Sequence, residues 1–305
     1  MFRYIILRLG YCVLVIVGVS LLVFVITHMI GSPVDIMLPL QATDKERAQM
    51  EHQLGLDRPL LIQLKDFTAG LLRLDFGLSW WQKEPALGIV LERMPATFQL
   101  VMMSFIVAAV VSVPLGILAA YHPGSTLDRV LTASALTGIC LPTFWVGLML
   151  VTVFAVRLGW FYTSGYGTIR HMVLPTLSLA IVPAGRIAQI MRFSMLDQLH
   201  QQYVTTARAK GLDEKTVIFK HALKNAAPAV VTTVGVDLGR MLAGISSPVE
   251  HVFGWPGFGT LILDTIQHQD FPLLQACVFV VAIIVTMINL LTDLSYGLFD
   301  PRIKY

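Results

Sequence analysis

Six stretches of this chain are long and apolar enough to cross a lipid bilayer, and this limits what it can fold into more than any other feature. They fall at roughly 9–30, 97–120, 130–156, 172–191, 229–249 and 273–297. A spanning helix needs about 20 apolar residues, because each adds 1.5 Å against a hydrocarbon core of about 30 Å. Within that core the backbone polar groups must be paired inside the chain, and continuous apolar runs of this length satisfy them as helices. The fourth stretch is the weakest, since Pro175, Pro183 and Arg186 interrupt it. The composition agrees with the segment pattern. Only 13% of the residues are charged and 55% are hydrophobic, whereas a soluble domain carries about 25% charged residues. A net charge of +3 is too small to point to nucleic acid as a partner. The expectation is an all-α membrane protein of about six transmembrane helices, forming one transmembrane domain over 1–305.

The first run follows Arg3 and Arg8. It is longer than the core of a signal peptide, about 7–15 residues, and reads as an uncleaved first span. Orientation follows from Lys and Arg in the short connections. Arg3, Arg8, Arg129, Arg192, the basic run from Arg208 to Lys224, Arg302 and Lys304 would share one side; the short loops opposite hold Arg157 and Arg170. The bias predicts that both termini are cytoplasmic. The segment 31–96 is then extracytoplasmic, with apolar residues too interleaved with charge to span. A small, partly helical unit on the membrane surface is expected there, with Trp80 and Trp81 at the interface.

The connection 193–228 is the most informative. Residues 203–210 suit a short helix, Gly211 supplies a positive-φ stop, and Asp213 can cap a second helix beginning near Glu214. Two short amphipathic helices around a glycine turn would form a knob suited to a groove on a cytosolic partner. The alternative from the residues alone is a solvated basic loop or a patch for anionic membrane lipid.

The motifs of this connection, Tyr203 to Leu212 and His221 to Ala226, resemble the cytoplasmic coupling loop of ABC-type import permeases in its oligopeptide, dipeptide and nickel branch. Thr205, Thr206 and Lys224 depart from the general loop pattern. Leu54-Gly55-Leu56-Asp57, Asp75-Phe76-Gly77, Phe253 to Gly259, Asp270-Phe271-Pro272, Asn289 to Asp293 and Asp300-Pro301-Arg302 are similar to the same branch, in order along the chain. The resemblance implies a type I importer-like permease in the cell inner membrane, carrying a peptide, nickel, a metal chelate or glutathione. It further implies a second homologous permease, two cytoplasmic ATP-binding subunits and an extracytoplasmic solute-binding protein as partners. Tyr203, Ala207, Arg208, Lys210, Gly211, Leu212, His221 and Asn225 would couple to the ATPase. No cofactor is implied in this chain, with ATP and Mg on the partner subunits. The sequence has no glycine-rich phosphate loop, and Lys215-Thr216 lacks the glycine cradle. Nor does it carry an H-E-x-x-H helix or G-x-S-x-G turn that an intramembrane enzyme would need. A stand-alone channel is the remaining alternative.

Charges within the spans are costly unless paired or wet. Asp237 and Arg240 are three apart on the fifth stretch, and read either as an intrahelical ion pair or as pore-lining groups. Arg186 is expected to snorkel, and Asp293, beside Asn289, to hydrogen-bond between helices. Glu250, Trp255, Pro256 and Gly257 follow the fifth stretch, as either a structural turn or an outer-gate loop. His28, His52, His171 and His251 lack metal-site spacing, and Cys12, Cys140 and Cys277 read as packing residues rather than a disulfide framework.

Overall fold

The apolar runs form long helices that pack by close backbone approach. The computed structural model describes residues 2–30, 34, 38 and 42–299, and among them regular structure is helical apart from one isolated bridge, Leu78 to Pro85. The side chain of Arg3, and residues 300–305 with Asp300-Pro301-Arg302 and Lys304, lie outside the described residues. In chain order the helices are α1 (Phe2–Ile30), α2 (Asp44–Leu54), α3 (Leu60–Arg73), α4 (Ala86–Tyr121), α5 (Thr126–Cys140) and α6 (Thr143–Leu150, running on to Arg157). Then come α7 (Ile169–Leu199), α8 (Gln202–Ala209), α9 (Glu214–Ile245), α10 (Ser247–Val252), α11 (Phe258–Gln267) and α12 (Phe271–Phe299).

Five of these helices, α1, α4, α7, α9 and α12, are long and apolar enough to cross a membrane. The third stretch, 130–156, is not the single span expected. It divides into α5 and α6, bent by 102°. Leu141 is extended there (φ −79°, ψ 133°), because the ring of Pro142 disfavours the helical region for the residue before it. The bent pair counts as a sixth span only if taken as one crossing.

The weak fourth stretch becomes the centre of the bundle. Half of the apolar window of α7 is buried, against 17% for α1. A helix surrounded by protein does not need a lipid-facing surface, which accounts for its modest hydropathy. α7 packs against α4, α5 and α9, and small residues set the separations. A Cβ on Gly116 of α4 would lie 2.8 Å from the Ala188 carbonyl oxygen, and one on Gly185 of α7 would lie 2.6 Å from that of Ala135. Such contacts replace the hydrophobic drive that lipid removes.

Ion pairs fasten the helix ends. Arg192 of α7 grips the buried Asp128 of α5 through Nε and, at 2.8 Å, through Nη2, while the Gly124 N–H donates to the same carboxylate at 2.9 Å. Asp293 of α12 pairs with Arg8 of α1 at 2.9 Å, so its contact runs between helices, as an ion pair.

Between α1 and α4, Thr43 and Glu46 form a reciprocal cap on α2. Asp270 anchors the stretch between α3 and α4: Ser79 Oγ donates to it at 2.5 Å, the Trp81 N–H at 3.1 Å and the Leu273 N–H at 3.2 Å. One carboxylate therefore caps α12 and fastens the turn before α4. Trp80 packs on Phe271 and Trp81 stacks on His268.

Replacing Gly185 with Val should lower the stability of the detergent-purified protein by about 1–3 kcal/mol through overpacking. Gly18→Ala on α1, where nothing lies within 4 Å of an added Cβ, should leave the melting temperature unchanged.

Candidate functional site

Three regions carry the polar chemistry of the chain: the α7–α9 connection, a charge cluster between α7 and α9, and the loop that follows α9.

The α7–α9 connection is a folded knob with its own small core of Val204, Ala207 and Val217. α8 ends where Gly211 takes φ +79°, and its N–H bonds the Arg208 carbonyl at 2.9 Å. Arg208 Nε donates to Glu214 at 2.7 Å, and Tyr203 Oη donates to Gln198 at 2.7 Å. Asp213 caps the next helix by accepting from the Thr216 N–H at 3.3 Å. The Thr216 hydroxyl and N–H hold the Asp213 carboxyl below the usual carboxylate range.

Two details differ from the expectation. The second helix is not short: it continues from Glu214 through to Ile245 as α9. Ala207 is buried in the knob, so it shapes the surface rather than forming it. Tyr203, Arg208, Lys210, Gly211 and Leu212 are exposed. His221 and Asn225 sit one turn apart on the α9 stalk, where Asn225 Nδ2 donates to the His221 carbonyl at 3.1 Å.

Between the two apolar helices, Asp237 of α9 pairs chiefly with Arg186 of α7 through Oδ1, so Arg186 is tied across the bundle instead of snorkelling. Arg240 lies 3.9 Å from the same oxygen, the outer limit of an ion pair. The sequence brought Asp237 and Arg240 together; the fold adds Arg186. Asp237 Oδ2 is buried with no hydrogen-bond partner among the described residues.

At the end of α9, Gly244 takes φ +116°, and the chain continues through α10 and α11. Glu250 is fully buried. Its carboxylate accepts from Thr97 Oγ1 at 2.8 Å, Ser246 Oγ at 2.9 Å and the Thr260 N–H at 3.1 Å. Gly257 and Gly259 make room for that carboxylate, since a Cβ on either would lie 2.3 Å and 2.8 Å from Glu250 Oε2. Trp255 is buried and donates through Nε1 to the Ala96 carbonyl at 2.9 Å. Its ring meets Tyr166 edge-on. Tyr166, Gln99 and Trp255 line a cavity of about 250 Å³. The loop is therefore packed against α4, with Pro256 partly exposed.

Thr97 was missed by sequence reasoning. It donates to Glu250 and accepts from the Phe258 N–H at 2.7 Å, yet a threonine in an apolar helix carries no distinguishing signal. Asp128 was missed for a similar reason: three residues after Ser125, it looks like an ordinary first-turn acid. Thr97→Val should destabilise the protein by about 1–3 kcal/mol, because it strips a donor from a buried carboxylate and an acceptor from a buried N–H. Thr97→Ser keeps both bonds and should melt close to wild type.

Residues 1–101 match the N-terminal membrane component of binding-protein-dependent transport systems, and residues 112–305 match the binding-protein-dependent transport system inner membrane component. The chain is similar to the oligopeptide transport system permease protein AppB of Bacillus subtilis, 35% identical over 317 residues and covering 100% of both proteins. It is similar to the dipeptide transport system permease protein DppB of Escherichia coli K12, 35% identical over 338 residues, covering 100% of this chain and 99% of that one. The glutathione transport system permease protein GsiC of the same strain is 36% identical over 306 residues, with 100% of both covered. A chain of the MetNI methionine ABC transporter, solved in inward-facing conformations, superposes with a TM-score of 0.60 at 17% identity, covering 70% of this chain and 96% of that one, a likeness of fold. The folded α7–α9 knob, the apolar helices and these matches from end to end lead to one assignment: this multi-pass protein belongs to the inner-membrane permease components of binding-protein-dependent ABC transport systems.

Proposed function

We propose that this chain forms half of the translocation path of an importer for short peptides, and that the knob around α8 receives the motion of a cytosolic ATPase. The observation that carries the reading is the continuity of α9. From its cap at Asp213 it runs on as helix to Asp237, through a π-helical turn at Val217–Ala222 and past Pro228, about 35 Å at 1.5 Å per residue. A push on the exposed face of Tyr203, Arg208, Lys210, Gly211 and Leu212 is transmitted through the Val204–Ala207–Val217 core to that lever. Alternating access then follows if nucleotide binding favours one arrangement of the helices.

In this reading both termini and 193–228 are cytoplasmic and 31–96 is extracytoplasmic. ATP and Mg bind two partner ATPases, since this chain lacks a phosphate-loop sequence. A second permease completes the path, and a solute-binding protein delivers cargo from outside. The packed loop of Glu250, Trp255, Pro256 and Gly257 lies at the outer end, with Pro256 partly exposed. Membrane lipid surrounds α1 and the outer faces of α4 and α12, which expose Val13, Leu14, Val110 and Leu291. The peptide cargo is supported by similarity to oligopeptide and dipeptide permeases. Glutathione, itself a short peptide, fits the same path.

The chain alone should show no ATPase activity, while co-expression with two ATPase subunits and a sister permease should yield a complex that hydrolyses ATP and takes up dipeptide. Uptake of nickel in place of dipeptide would transfer the reading to metal cargo. Gly211→Arg tests the knob, since no atom lies within 4 Å of an added Cβ. Its left-handed backbone should cost only about 1–2 kcal/mol, so membrane insertion survives. Uptake should fall by about tenfold or more, the equivalent of ~1.4 kcal/mol of lost docking. Normal uptake would refute the assignment of the knob.

A further inference from the structure

Arg186, Asp237 and Arg240 place two cations and one anion together inside the membrane. Asp237 and Arg240 lie 8 and 11 residues from the start of the apolar stretch 229–249 and 12 and 9 from its end, so about 12 Å or more of helix at 1.5 Å per residue separates each from either edge. The cluster is therefore near mid-depth, where one unanswered positive charge is expensive unless it faces water or an anion. Arg186 uses Asp237 Oδ1 directly; Arg240 is 3.9 Å away and keeps 57% of its side chain exposed.

The face on which Arg240 sits is not built for lipid. Between Asn225 and Ala243 the exposed positions of α9 are Asn225, Ala229, Val236, Arg240 and Ala243, spaced as one helical face. Four of the five are small or polar. The lipid-type faces elsewhere are different: α4 exposes Phe98, Ile106, Val110 and Leu118. A small-residue face with an exposed guanidinium at mid-depth matches the wall of an aqueous path.

We infer that Arg240, steadied by Asp237 and backed by the charge of Arg186, is a binding position on the translocation path for solutes that carry a carboxylate. This rests on the permease reading above and deepens it by naming a chemical class of cargo. A guanidinium offers paired N–H donors to a carboxylate, and the excess charge of the cluster favours an anion over a cation on this wall. Asp237 limits the attraction, so that the solute is released rather than trapped.

The test uses the complex assembled with its ATPases and sister permease. Cys12 and Cys140 are replaced by alanine, the buried Cys277 is kept, and a reporter is introduced as Val236→Cys, one turn from Arg240 on the same face. The parent without Val236→Cys gives the background. The reporter should react faster with an anionic ethylsulfonate methanethiosulfonate than with its cationic trimethylammonium analogue by about fivefold or more, after correction for intrinsic reactivity, the preference expected of one nearby charge in a wet path. Arg240→Gln should abolish that preference. No reaction would mean that the face is closed to water, and equal rates would mean that an acid of the sister permease cancels the charge; either overturns the proposal.

Uptake provides the second arm. Arg240→Gln should reduce import of Ala-Ala more than that of its C-terminal amide, the dipeptide Ala-Ala-NH2, which lacks the carboxylate, and an unchanged ratio would remove the carboxylate assignment. If the wild-type complex imports neither dipeptide, the peptide reading fails while the reagent rates still decide the anion site.

Discussion

A charge carried into a bilayer must be answered by another group, and this constraint organises the molecule. Arg192 is answered by Asp128 and Arg8 by Asp293 near the helix ends. Arg186 is answered by Asp237 at mid-depth. Glu250 is answered by three hydrogen-bond donors from three places in the chain. The three ion pairs and the Thr97–Glu250 bond join elements far apart in sequence, so the bonds that lower the cost of burial also fix which helices are neighbours. Broken singly, such contacts leave a buried charge uncompensated, which is far more damaging than the net worth of the pair would suggest.

The helical membrane architecture was legible from apolar run length, because lipid removes the alternatives. Details of the helices were not. The third stretch looked continuous because its composition is uniform, but Pro142 acts on the backbone of Leu141 and not on hydropathy. The fourth stretch looked weak because hydropathy measures affinity for lipid, while α7 faces protein. Gly116, Gly138 and Gly185 set the distances at which α4, α5 and α7 meet, a packing role that hydropathy does not register.

The polar regions divide in the same way. Gly211 as a positive-φ stop and Asp213 as a cap were readable because both act locally. The continuity of α9 beyond Asp213 depends on packing against α7 and α12 and could not be read from the loop. Asp237 and Arg240 were visible as neighbours on one helix turn, whereas Arg186 joins them only through the α7–α9 contact. In the loop after α9, proline and glycine correctly indicated a tight turn. What they enclose, a carboxylate seated against Thr97 of α4, is a tertiary contact.

These parts form one continuous connection: an exposed knob with a small apolar core, a long helix rising from it, and a charge cluster where that helix meets α7. The central claim is that the knob seats on an ATPase. Site-directed cross-linking from Leu212→Cys in the assembled complex tests it most directly. The cross-link should form to an ATPase subunit from the cytoplasmic side, and its yield should change when ATP binds. Failure to cross-link to either ATPase, or labelling of this cysteine by a membrane-impermeant reagent added outside intact cells, would contradict it.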